Sequence, residues 1–156
     1  MGQLQYMITI ILLSVLGAIL SAVVGTFWYS PMTPMGRLHM REVGFEKLSP
    51  EEQKQKIEAV KPHMWKSYLG QVILSLLTSL ATVFILTMSV RNGLPFSAAL
   101  GFVLSNWLCF MVPVIGSGII WGGIDRAIAW KKFLSEIGAN LVTLFLITLL
   151  AYFFIN

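Results

Sequence analysis

Long apolar stretches alternate with short polar connections along the chain. Four runs, about residues 4–29, 67–90, 96–121 and 133–154, each supply the roughly 20 helical residues needed to cross a hydrocarbon core. None shows the apolar–polar alternation over about ten residues that a membrane barrel requires. The pattern therefore predicts an all-α fold, an integral membrane bundle of four transmembrane helices forming one domain over residues 1–156. The first run has no basic segment before it, is too long for a signal-peptide core and lacks a small-x-small cleavage pattern before Trp28, so it is read as a retained helix.

Residues 30–66 form the one sizeable polar segment. Within it "SPEE" puts Ser49 at an N-cap, Pro50 at N1 and Glu52 at N3, a reciprocal arrangement that satisfies two orphan amides. A short amphipathic helix is expected to start there and end near Pro62. Its apolar stripe, Gln53, Ile57, Val60 and Met64, would rest on the membrane surface or at the mouth of the bundle. "RNGLP" joins runs two and three through Asn92 and Gly93, both able to take a left-handed turn conformation, with Pro95 restarting the helix. The third connection, "GGIDRAIAWKK", carries Asp125, Arg126, Lys131 and Lys132.

Composition agrees with a membrane solvent. The 156 residues are 56% hydrophobic and 12% charged, with mean hydropathy +0.78, where soluble domains run near about 25% charged. Five tryptophans and ten phenylalanines exceed what so small a water-soluble core could hide. The net charge of +4 comes from basic residues that flank apolar runs and do not form a basic-aromatic face, so lipid is the expected partner and nucleic acid is not. Ten of the eleven Lys and Arg fall in loops one and three, and Arg91 is the exception. By the positive-inside rule loops one and three are cytoplasmic and both termini lie outside. The lone Cys109 leaves no internal disulfide and no cysteine-based zinc site.

Trp28, Tyr29, Trp65, Tyr68, Trp121 and Trp130 would all lie at the cytoplasmic interface, where amphipathic rings anchor in the headgroup zone. Gly17, Ser21 and Gly25, with Ser14 alongside, make a small-residue groove that intramolecular packing or a homo-oligomer could use. Ser75, Ser79 and Thr82 make a comparable stripe on the second helix. In the third helix Asn106 is mid-run and Pro113 removes a backbone donor, predicting a kink or break and a buried polar site. Glu136, Asn140 and Thr143 give the fourth helix one polar face. Glu136 needs a cation there, with Arg37, Arg126 and Lys132 the candidates for a structural ion pair. A proton or cation relay through Glu136, Asn140 and Asn106 is the alternative, provided they face one cavity. Met32, Met35, Met40 and His39 are soft donors of the kind that bind Cu(I), and equally ordinary gap fillers at an interface.

No zincin helix, phosphate-binding loop, nucleophile elbow or paired-carboxylate motif is present, and no cofactor is implied. The reading leans to a non-enzymatic protein: an assembly partner, or a small transporter or channel subunit with a polar site between helices three and four. The alternative is a membrane enzyme or metal-handling protein using His39, His63 and Glu136.

"GTFWYSP", "MGRLHMREVGF", "NGLPFSAALGFVLSNWLCFMVP" and "GGIDRAIAWKKFLSEIGANLV", taken in order, resemble the small bacterial membrane proteins of the domain of unknown function 1761 family. Trp28 to Pro31, Gly101 with Phe102, the progression Trp107, Phe110, Pro113, and Arg126 carry the resemblance most specifically. Members often have Phe-Gly-Lys and a tryptophan where this chain has Met35, Gly36, Arg37 and His39, which weighs against a methionine–histidine metal site. The resemblance implies a four-helix protein of the bacterial cytoplasmic (inner) membrane and supplies no reaction.

Overall fold

The computed structural model describes residues 3–123 and 126–155, apart from the side chain of His63. Asp125, expected in the third connection, lies outside the described residues. Six α-helices follow one another: α1 Gln3–Trp28, α2 Pro34–Glu42, α3 Pro50–Arg91, α4 Phe96–Asn106, α5 Val112–Trp121 and α6 Arg126–Ile155. A 3-10 turn occupies Phe45–Lys47, and a π turn, Trp107–Met111, joins α4 to α5. No strand is found among the described residues. Four helical stretches, Gln3–Trp28, Met64–Arg91, Phe96–Trp121 and Arg126–Ile155, are long and apolar enough to cross a membrane.

Loop one departs from expectation. The helix that starts at Ser49 does not stop near Pro62; it runs on as the single 42-residue α3, about 63 Å long at 1.5 Å per residue. The capping box forms as the sequence predicts: Ser49 Oγ accepts from the Glu52 amide, and Glu52 Oε2 accepts from the Ser49 amide at 2.7 Å. Pro62 is tolerated because the carbonyl its missing N–H would have met belongs to Glu58, which is exposed and can turn to water. The amphipathic element of loop one is instead α2. Thr33 caps it by accepting from the Gly36 amide at 2.9 Å, with Pro34 in the first turn.

From Pro50 to Leu69 the described side chains are exposed except Gln53 and Met64. The first turns of α3 are steadied from below by Gln53, which donates to the Phe45 and Leu48 carbonyls, and by Lys56, which donates to the Val43 carbonyl at 2.9 Å. The remaining turns project with little around them.

The third span widens at Pro113 and does not break. Val112 N–H reaches the Trp107 carbonyl, a five-residue bond, and Asn106, Trp107 and Val112 all keep right-handed helical dihedrals. The wider turn absorbs a proline at the position where a regular helix would need its amide. At the α3–α4 turn only Gly93 takes the left-handed conformation, at φ 69°, while Asn92 stays at φ −86°.

Helices α3 and α6 form the centre: α6 touches each of the other five helices, and α3 touches α1, α4 and α6. Leu13, Val83, Leu86, Val103, Leu144 and Ile147 form the heart of the core. Ser14, Thr82, Thr87 and Thr148 are buried beside it, each donating to a carbonyl one turn back on its own helix. The small residues of α1 face inward: a Cβ on Gly17 would overlap Ser79 Oγ and lie 3.3 Å from Ile147 Cγ1. Ser21 and Ser75 share a hydrogen bond at 3.3 Å. The close approach at Gly17 and Ser21 is thus taken up by the chain's own α3, and Gly25 has open space beside it.

Candidate functional site

The end of α1, the whole of α2 and the first turns of α6 meet at the basic end of the bundle, where loops one and three lie. The turn that brings them together is set by a few residues. Thr33 Oγ1 donates to the Trp28 carbonyl at 2.6 Å, so one hydroxyl closes α1 and caps α2. Gly36 is buried against the Ser30 carbonyl so closely that a Cβ there would overlap it. Trp28 then reaches across to α6, donating its indole N–H to the buried Ser135 Oγ at 3.1 Å. Gly138 lies against the ring, where a Cβ would stand in contact 3.4 Å from Trp28 Cζ2.

These contacts place a charge cluster. Lys132 is bonded to Glu42 of α2 and lies 3.7 Å from Glu136 one turn along α6. All three side chains are largely covered, at 23%, 21% and 31% exposure. That shelters the pairs from the screening that makes open surface bridges nearly worthless. His39 Nδ1 stands 3.5 Å from Glu42, and its ring meets Tyr29 edge-on with centroids 5.8 Å apart. Burial, and then the negative Glu136 and Glu42, push the Tyr29 phenol above its ordinary value of 10.0, partly offset by its bond to Ser135. The Lys132–Glu42 pair thus clamps α2 across α6, with Glu136 beside it on α6 and the His39 imidazole beside it on α2.

On its other flank α2 carries Arg37 and Arg41. With Lys131 and the apolar Pro34, Met35, Leu38 and Leu134 they line a cleft of about 330 Å³ between α2 and α6. Arg41 is held by Glu46 at 2.9 Å.

Of the three cations expected for Glu136, Lys132 makes the pair; Arg37 lines the cleft, and Arg126 begins α6 exposed. The residues expected to share a polar cavity are not all brought together. Asn140 Nδ2 donates to the Glu136 carbonyl and Thr143 Oγ1 to the Ala139 carbonyl, both on their own helix. Asn106 and Pro113 face outward from the bundle. Met35 lines the basic cleft, Met32 is 88% exposed, Met40 is half-buried and His39 is turned to Tyr29 and Glu42. Among the described residues no group of three His, Cys, Asp or Glu side chains could hold a metal ion. The side chain of His63 lies outside the described residues.

Trp65, Trp121 and Trp130 are exposed, whereas Trp28 is half-buried and bonded to Ser135. The sequence reading passed over Glu42, Ser135 and Gly138, and took Trp107 only as part of the family resemblance; its indole N–H donates to the Ile137 carbonyl at 3.3 Å. It also passed over the cap at Thr33, although Thr-Pro there repeats the grammar of Ser49-Pro50.

The fold is all-helical, with four stretches long and apolar enough to cross a membrane and the loop-one helix α2 fastened to the last of them. The chain belongs to the protein of unknown function (DUF1761) family, whose profile matches residues 12–152. No curated protein and no solved structure gives a significant match.

Proposed function

We propose that the protein is a non-enzymatic assembly partner of the bacterial cytoplasmic membrane, crossing it four times with loops one and three in the cytoplasm, and that it pairs with a second copy of itself through the third span. The observation that carries this is Asn106. It lies about 4 Å from the middle of the span, is exposed, and meets no hydrogen-bond partner among the described residues. The same span is the least covered of the four, with 11% of its apolar window buried against 39% for that of α3.

An amide facing hydrocarbon at that depth is costly, and lipid tails offer it nothing in return. Asparagine both donates and accepts, so two copies related by a two-fold axis can satisfy each other at this position. Transport through Asn106, Glu136 and Asn140 draws less support, because Asn106 faces outward while Glu136 and Asn140 are half-buried on α6.

Cys109, exposed one turn from Asn106, is a built-in reporter. Oxidative crosslinking in native membranes is expected to give a disulfide dimer from the wild type, weakened in Asn106→Leu and kept in Asn106→Gln. Loss of one interhelical amide contact should lower association roughly 3- to 30-fold. A wild-type chain that stays monomeric, or an Asn106→Leu variant that crosslinks equally well, overturns the reading.

A further inference from the structure

The clamp at the basic end divides α2 into two flanks. One carries His39 and Glu42 to the carboxylate side, and the other, one face of the same helix, presents Arg37 and Arg41 at i, i+4 toward Lys131. Among the described residues no acidic side chain lines the cleft between them. Glu46 neutralises Arg41 from outside it, whereas Arg37 and Lys131 make no ion pair among the described residues. Beneath the cations the walls are Pro34, Met35, Leu38 and Leu134, an apolar surface continuous with the start of the fourth span. Two free cations over an apolar floor, at the level where the spans leave the apolar zone, match an amphiphile with an anionic head.

We infer that this cleft is a binding site for an anionic phospholipid. The Arg37 guanidinium, a planar fork that takes phosphate oxygens in pairs, and the Lys131 ammonium hold the phosphate. Leu38, Leu134 and Met35 cover the glycerol and the first acyl carbons. Cations alone would bind any soluble phosphate, and the apolar floor is what selects a lipid. Because α2 is fixed by Lys132 and Glu42, the cleft is pre-shaped, and binding does not have to order the loop. The site is independent of the self-association proposed above, which uses the third span.

The test uses the full chain in nanodiscs of equal parts phosphatidylglycerol and phosphatidylcholine, extracted mildly, with retained lipid counted by native mass spectrometry. The wild type is expected to retain phosphatidylglycerol preferentially. At about 1 kcal/mol per cation near a lipid surface, Arg37→Gln with Lys131→Gln lowers that preference roughly 30-fold. Arg37→Lys, which keeps the charge and loses the fork, falls between the wild type and the double variant, and Arg91→Gln, at the opposite end, leaves the preference unchanged. Both cleft residues are exposed, so the double variant should melt with the wild type in detergent. A double variant that melts normally and keeps the wild-type preference overturns the inference. So does displacement of the retained lipid by soluble glycerol phosphate, which would mark a phosphate site without a lipid one.

Discussion

Replacing Gly17 with valine, and separately Gly25 with valine, puts the same side chain into the same helix two turns apart. The change in helix propensity is common to both and cancels in the comparison. What differs is the space. At Gly17 even the first added carbon overlaps Ser79 Oγ and comes within 3.2 Å of Ser79 Cβ and 3.3 Å of Ile147 Cγ1, while at Gly25 nothing lies within 4 Å. The Ser79 hydroxyl, which makes no hydrogen bond, can turn to another rotamer. Its Cβ and Ile147 cannot, since both residues are essentially fully buried, at 0% and 1% exposure. Valine at 17 must therefore push α1 away from α3 and α6, an overpacking cost of about 1–3 kcal/mol. Reversible unfolding of the purified protein in mixed micelles measures it, with Gly17→Val less stable than Gly25→Val by that amount. Equal stabilities would refute the inward-facing groove, and Cys109 crosslinking in both variants should stay at the wild-type level because neither touches the third span.

Lys132→Met leaves Glu42 and Glu136 partly buried without their cation, at about 1.5–3 kcal/mol for the lost charged hydrogen bonding. Trypsin should then cut faster at Arg37 and Arg41, while Glu42→Gln has a smaller effect. Trp107→Phe removes the N–H bonded to the Ile137 carbonyl and should cost about 0.5–1.5 kcal/mol in the same micelle unfolding assay. Ser49→Ala removes the cap of α3 and should raise amide exchange over residues 51–53 roughly fivefold. Acid has a related effect: bonds from Ser49 hold the Glu52 carboxyl below its ordinary value of 4.5. Its contribution to helix order is present above that value and is lost as the pH falls through the depressed one. Exchange of the same amides, corrected for intrinsic rates, should quicken only below about pH 4.5.

The four spans were legible because a run of more than 20 apolar residues has few alternatives in water or lipid. The Ser49 cap was legible because its chemistry is local. The end of that helix was not, since a proline stops a helix only when the freed carbonyl has nowhere to turn, and the exposed Glu58 has water. Lys132 as the partner of Glu136 could be read from i, i+4 spacing, whereas Glu42 lies 90 residues away and becomes visible only once α2 is docked on α6. For Asn106 the residue stood out but its direction did not. The third span carries small or polar residues on several faces, so periodicity could not say which one α3 would cover.

The unbroken α3 makes mechanics part of this molecule. About a third of the helix, residues 50–63, precedes the stretch apolar enough to sit in a membrane, a lever arm of about 21 Å. A tilt of about 10° within the bundle would carry its tip sideways by about 4 Å. Traffic in the other direction is just as direct: anything that grips the tip pulls on a helix that contacts α1, α4 and α6 at once.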